Sequence, residues 1–91
     1  MKFKYYEHDN AKKFFKKHRR DSELLLRINK KYVDIINNPF KSEFSQLNSK
    51  YCSKCQRAVV GDYRIIFHVS RSKKIVEIID IIPRREDYRK F

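Results

Sequence analysis

Glycine, proline and cysteine are scarce in this sequence. Its 91 residues include one Gly, two Pro and two Cys. So little glycine and proline leaves no stretch with the composition of a flexible linker, and we expect one domain over residues 1–91. A structural zinc site normally takes four ligands, and Cys52 and Cys55 have no second pair, so we expect no metal site. We expect both thiols to be reduced, with a disulfide as the alternative if the source is a hyperthermophile.

Long apolar runs and negative charge are also scarce. The apolar runs are far shorter than the roughly 20 residues that span a membrane. The opening MKFKYYEHD lacks the apolar core of a signal peptide, so we expect a cytoplasmic protein with no membrane partner. Lys and Arg number 23 against 11 Asp and Glu, which gives a net charge of +12. Such a field favours nucleic acid or an acidic protein as partner, and an anionic membrane surface less.

The hydrophobic pattern predicts a mixture of helices and strands. Apolar residues three or four positions apart predict a helix that begins at Asp9 or Asn10 and runs to about Arg19. A second helix is predicted from a cap at Asp21 to the sequence NNP, because the residue before proline leaves the helical region. The predicted strands are 2–6, 56–60, 63–70 and 74–82, with 40–54 as a loop and 84–91 as a polar tail.

The third predicted strand has an arginine, Arg64, between apolar neighbours. Strand side chains alternate, so one face has Tyr63, Ile65, Phe67 and Val69, and the other has Arg64, Ile66 and His68. The first face is more apolar and should meet the helices. A hairpin centred on residues 71–72 would place Arg64 opposite Ile79 and Ile66 opposite Glu77. The second face would then be half apolar and half basic, which suggests a binding surface. The alternative is a structural salt bridge from Arg64 to Glu77 or to a carboxylate of the tail.

Several segments together resemble the RelE/ParE toxin superfamily over nearly the whole chain. They are VVGDYRIIFHV, IVEIIDIIPRREDY and the upstream pair of helices that ends in NNP. The resemblance implies a compact α+β fold: one strand, two helices and an antiparallel three-strand meander with the helices on one face. It implies a toxin of a type II toxin–antitoxin pair, which a cognate RelB-like antitoxin neutralises. RelE-type toxins cut mRNA in the A site of the 30S ribosomal subunit, whereas the ParE branch acts on DNA gyrase and is not a nuclease.

The resemblance also implies a set of catalytic residues. Arg64 matches a mid-strand arginine that holds the scissile phosphate. Arg84, with Arg85 as its near substitute, matches a second arginine, and Tyr88 matches a tail tyrosine that stacks on a base or exchanges a proton. Many members have a histidine before the arginine pair, where this chain has Pro83. No two carboxylates have the spacing of a metal site, so we expect 2'-OH attack without a metal or cofactor.

Other basic residues are candidates for binding the RNA backbone. They are Lys50, Lys54 and Arg57 around the second predicted strand, and Lys12, Lys13 and Lys16 on the first helix. Phosphate contacts of this kind make binding strongly salt-dependent. A solvated basic face, or contact with an acidic antitoxin, would use the helix lysines equally well. The leading hypothesis is therefore a ribosome-dependent mRNA endonuclease, and the alternatives are a ParE-like gyrase inhibitor and a non-catalytic RNA-binding module.

Overall fold

The structure is a computed structural model that describes residues 3–47 and 54–84. The five strands of the described residues form one sheet in the order β1-β5-β4-β3-β2. The α+β class is confirmed, as is the antiparallel meander of the last three strands. The elements are β1 (Lys4–Glu7), α1 (Asp9–Lys17), α2 (Ser22–Asn37), β2 (Ser45–Leu47), β3 (Cys55–Val60), β4 (Tyr63–Ser70) and β5 (Ile75–Pro83).

Both helices form where the apolar spacing predicts them, but α1 begins and ends differently. The Asp21 carboxylate accepts a hydrogen bond from Leu24 N–H, which caps α2. The α1 cap is His8 rather than Asp9 or Asn10, and its side chain makes no capping bond. Asp9 lies in the first turn instead, where the helix dipole favours a negative charge. Within the described residues, neither helix is long and apolar enough to cross a membrane.

The sheet contains two pairings that the sequence did not predict. Residues 45–47, within the predicted loop 40–54, form β2 and pair antiparallel with β3. Three residues are too few for a period-two pattern to be recognised. The first strand pairs in parallel with β5, and Lys4 N–H donates to the Lys74 carbonyl at 3.0 Å. The first and last strands of the fold are therefore neighbours.

The register of β4 against β5 was predicted wrongly, by three residues at Arg64. The observed pairs are Arg64 with Ile82 and Ile66 with Asp80, in place of Ile79 and Glu77. The turn has four residues, 71–74, instead of two, and Lys74 adopts a φ of 53°. A β-bulge at Ile66 and Phe67 adds one more residue on β5.

Apolar residues of the sheet form a cluster on each face. The main cluster packs both helices against one face, and Tyr63, Ile65, Phe67 and Val69 all belong to it, as predicted. On the other face Ile66 is 0% exposed and contacts Cys55 and Ile82. The sequence had suggested a binding surface along the whole of this face, but the part around Ile66 is buried.

Cys55 was expected to be a reduced thiol, and this expectation is wrong. Cys55 is buried at the start of β3 and is disulfide-bonded. Cys52 is the one other cysteine of the sequence and lies outside the described residues. The spacing of two cysteines does not report their oxidation state, so the sequence had no signal for the bond.

Gly61 occupies a backbone conformation that other residues adopt at a cost. It is the first residue of the β3–β4 turn and has a φ of 55°. We expect Gly61→Ala to destabilise the fold by about 1–2 kcal/mol, and to lower the midpoint of thermal unfolding by roughly 5–10 °C. Gly61→Asn should lose less stability than Gly61→Ala, because asparagine tolerates the left-handed backbone region better than alanine does. Calorimetry on both variants measures the difference, and equal midpoints for Gly61→Ala and the wild type would contradict it.

Tyr32 links α2 to β1 through a partly buried hydrogen bond. Its hydroxyl donates to Glu7 Oε2 at 3.0 Å. Burial, and then the Glu7 carboxylate, raise the pKa of Tyr32 well above its ordinary value. The folded state thus keeps the proton, so this stabilisation is complete below pH 10 and is lost as the pH rises further.

We expect Tyr32→Phe to show this linkage. Above about pH 10 the wild type should lose up to about 1.4 kcal/mol of stability per pH unit more than the variant does. At neutral pH the variant should be about 1 kcal/mol less stable, since a hydrogen bond is lost. Urea unfolding of both proteins at pH 7 and at two alkaline pH values measures the two slopes. Identical slopes would contradict the expectation, because they would show that Tyr32 ionises as readily in the folded state as in the unfolded state.

Candidate active-site cleft

A cleft of about 480 Å³ lies at the end of the sheet where the β3–β4 turn meets the end of β5. Its lining residues are Asp62, Tyr63, Arg64, Pro83 and Arg84. Two of the four predicted catalytic residues, Arg64 and Arg84, are thus brought together by the fold. The other two, Arg85 and Tyr88, lie outside the described residues.

Backbone pairing fixes the positions of the two arginines. Arg64 is the second residue of β4, and Tyr63 before it pairs with Pro83 at the end of β5. Arg84 N–H donates to the Asp62 carbonyl at 2.6 Å, which holds Arg84 across the turn from Arg64. Because the Arg64 side chain points away from the helix-side core, both guanidinium groups are available to one cleft.

Arg64 lies in the electrostatic field of two further arginines. Burial lowers the pKa of Arg64, and the charges of Arg57 and Arg84 lower it further. Its Nε atom is buried, while Arg84 is exposed. Three like charges repel one another, so an anion placed among them is attracted by all three. The cleft therefore suits a phosphate.

Arg57 is oriented by the strand that the sequence did not predict. Its Nε donates to Ser45 Oγ of β2 at 2.7 Å, and the two residues are opposite each other in the ladder. Arg57 is half-buried and shares a sheet face with Arg64, since it pairs with Ile66. The sequence placed Arg57 among the RNA-binding residues, and the structure brings it to the arginines of the cleft.

A second groove continues from the cleft along α1. It has a volume of about 300 Å³, and Tyr63 and Pro83 line both it and the cleft. Lys13 and Lys17 line the groove, whereas Lys12 and Lys16 are exposed and do not. Lys12 Nζ instead lies 6.0 Å from the centre of the Tyr6 ring.

Lys17 is a residue that the sequence interpretation missed. It lies four positions after Lys13, the spacing that places two side chains on one helix face, and that spacing could have found it. Asp62 and Tyr63 were also missed as lining residues, because they were assigned to the turn and to the core.

The remaining predicted residues lie elsewhere. Lys54 and His68 line a separate cleft towards the other end of β4, and Lys50 lies outside the described residues. Glu77 Oε2 is 3.2 Å from His8 Nε2, and Glu77 is opposite His68, so the proposed salt bridge from Arg64 to Glu77 is not formed. Across 3–47 and 54–84, no three His, Cys, Asp or Glu side chains are close enough to hold a metal ion.

The protein is thus a small basic α+β protein with an arginine-lined cleft that suits an anion. The sequence matches the family described as the ParE toxin of the type II toxin–antitoxin system parDE over residues 5–88. The chain therefore belongs to the RelE/ParE toxin family and is a toxin of a type II toxin–antitoxin system. A comparison with curated proteins finds no match.

Solved structures with a similar fold come from both bacteria and archaea. The toxin–antitoxin complex RelBE2 of Mycobacterium tuberculosis has a TM-score of 0.72 at 15% identity, with 92% of this chain and 100% of the other covered. The isolated RelE toxin of E. coli has a TM-score of 0.67 at 17% identity, with 93% of this chain and 87% of the other covered. The archaeal RelE–RelB complex of Pyrococcus horikoshii has a TM-score of 0.57 at 24% identity, with 96% of this chain and 100% of the other covered. At these identities the likeness establishes the fold alone.

Proposed function

We propose that this toxin is a ribosome-dependent endoribonuclease that cuts mRNA in the A site. The observation that carries the proposal is the convergence of Arg64 and Arg84 in one open cleft, with the charge of Arg57 acting on Arg64. A protein that only binds another protein has no need to bring two repelling guanidinium groups, those of Arg57 and Arg84, close to a partly buried third.

The reaction is an attack of the ribose 2'-oxygen on the adjacent phosphorus. The new P–O2' bond forms as the P–O5' bond breaks, which leaves a 2',3'-cyclic phosphate and a 5'-hydroxyl. The 2'-OH proton passes to a base, and the departing 5'-oxygen takes up a proton. Arg64 grips the phosphate through its planar fork, and Arg84 adds charge where the phosphorane becomes more negative.

The proton-transfer groups are proposed from the tail. Tyr88 and Arg85 keep the roles that the resemblance gives them, with Tyr88 as the group that exchanges a proton. A free tyrosine has a pKa near ~10, so a role as base requires help from nearby cations. No metal and no cofactor enters the reaction.

The ribosome supplies what the small cleft lacks. It holds the message extended and positions one phosphate, while the net charge of +12 draws the toxin to RNA. Lys13 and Lys17 bind backbone phosphates beside the cleft, and Lys50, Lys54, Lys12 and Lys16 add attraction from other parts of the surface. The toxin acts in the cytoplasm, where translation takes place.

A cognate antitoxin is the second partner that we propose. Two of the similar structures are complexes of a RelE-type toxin with its antitoxin. An acidic, RelB-like protein encoded beside this chain would complement its charge and keep it inactive. Co-purification of the pair tests this, and a chain that is harmless when expressed alone would count against it.

Primer extension on a translated message tests the activity. Wild-type protein should produce cuts only when ribosomes occupy the message, and none on the same RNA alone. The family description names ParE, which favours gyrase as the alternative target. A DNA supercoiling assay separates the two: inhibition of gyrase together with an intact message would replace this proposal with the second one.

A further inference from the structure

A second cleft, of about 290 Å³, lies on the sheet away from the arginine cluster. The residues used in the argument are Phe40, Gln46, Lys54, Gln56, His68 and Arg71. His68 is four residues along β4 from Arg64, which corresponds to roughly 13 Å of strand. A ligand that reached both clefts would therefore be longer than a single nucleotide.

An aromatic ring and a guanidinium group that lies over it form a stacking platform at this cleft. The Arg71 Cζ atom lies 4.4 Å from the centre of the Phe40 ring. Phe3 contacts the same ring edge-on, with the ring centres 5.8 Å apart. Phe40 nevertheless keeps 43% of its surface exposed. Aromatic rings and guanidinium planes are the two side-chain surfaces on which unstacked bases stack.

Amide groups lie beside the platform. Gln46 of β2 and Gln56 of β3 are directly opposite each other in the ladder. The Oε1 atom of Gln56 is buried, and no described residue donates a hydrogen bond to it. A buried acceptor of this kind gains from a donor. The exocyclic amino groups of adenine, cytosine and guanine project such a donor outward from the ring, whereas the N3–H donor of uracil lies between two carbonyl oxygens that repel an acceptor.

The charge of the cleft fits a nucleotide as well. Lys54 and Arg71 are exposed cations, and none of the described residues that line the cleft is a carboxylate. An acidic protein would also meet these cations, but it would make no use of a stacking platform beside an amide acceptor. The combination of platform, amide and cation favours RNA.

We propose that this cleft is a subsite for one amino-bearing nucleobase of the RNA. The base stacks on the Phe40–Arg71 platform, the side-chain amide of Gln56 rotates outward to accept a hydrogen bond from its amino group, and Lys54 meets the adjoining phosphate. This inference rests on the proposed RNA cleavage, and it assigns to the toxin a base preference at a distance from the cut.

Nuclear magnetic resonance of the full chain, labelled with ¹⁵N, tests the subsite. AMP, CMP, GMP and UMP are titrated separately, and the side-chain amide of Gln56 and the backbone amide of His68 are followed. The first three should shift these signals, and UMP should bind more weakly. Phe40→Leu and Arg71→Met should each weaken binding by about tenfold, since a stacking partner is lost.

Lys73→Met is the matched control. It removes one charge from the same turn as Arg71 but does not line the cleft, so its affinity should equal that of the wild type. Equal weakening by Lys73→Met and Arg71→Met would overturn the subsite, because charge alone would explain the binding. The subsite would also be overturned if an acidic antitoxin shifted the signals of this cleft and none of the four nucleotides did.

Cleavage of a translated message is measured on the same proteins. If the wild type cleaves the message but no nucleotide shifts the signals of this cleft, the subsite is refuted and the proposed function is supported. If nucleotides shift these signals but the wild type does not cleave, the subsite is supported and the proposed nuclease is refuted. The two proposals thus fail independently.

Discussion

Arg64→Ala is expected to slow mRNA cleavage on the ribosome by about 10²–10³-fold. The reason is that, in the proposed reaction, Arg64 holds the phosphate from a partly buried position, where each interaction is stronger than in water. Rates of cleavage with saturating ribosomes measure the effect. Binding to the ribosome should change much less, because many other cations remain on the surface.

Two further variants separate the fork of Arg64 from its charge. Arg64→Lys keeps the charge but loses bidentate geometry, so we expect a rate between those of Arg64→Ala and the wild type. Lys73→Met removes a charge from the opposite end of β4 and should cleave at the wild-type rate. Thermal unfolding confirms that each variant is folded. If folded Arg64→Ala cut the message as fast as the wild type, Arg64 would have no part in the chemistry.

The second large effect is expected from the groove on α1. Lys13→Gln combined with Lys17→Gln removes the two cations that line the groove next to the cleft. We expect about tenfold lower cleavage at limiting ribosome concentration and a slope of log affinity against log salt that is shallower by about one per lost contact. Cleavage at saturating ribosomes should be nearly unchanged, since the role proposed for these lysines is to bind the RNA backbone away from the reacting atoms.

Lys12→Gln combined with Lys16→Gln is the control for the groove. It removes the same charge from the same helix at the same spacing, but neither side chain lines the groove. A smaller effect of this pair shows that position decides. Equal effects of the two pairs would show that the net charge of α1 matters and the groove does not.

The sequence was sufficient for the helices, the meander and the two faces of β4. Those predictions rest on periodicity over five or more residues, and the apolar alternation around Arg64 indicated which face meets the helices. That Arg64 and Arg84 belong to one site was also expected from the sequence, through the resemblance to the toxin family, and both line the cleft.

The register of the last hairpin could not be predicted from local signals. The turn at residues 71–74 contains no glycine or asparagine, and its left-handed residue is Lys74. The bulge near Ile66 has no marker in the sequence either. As a result the second face was assigned the wrong neighbours, and the burial of Ile66 was not foreseen.

Long-range contacts explain the other differences. Ser45 orients Arg57 through a strand of three residues. This contact depends on where separate elements meet, which no local pattern contains. The second cleft is a further example, since Phe40 and Arg71 are 31 positions apart in the chain.

The ends of the RNA that wild-type toxin produces on programmed ribosomes test the central claim most directly. We predict a cut within the codon that occupies the A site, a 2',3'-cyclic phosphate on the upstream fragment and a 5'-hydroxyl on the downstream one. A message that stays intact on those ribosomes, while the same protein blocks supercoiling by DNA gyrase, would contradict the claim.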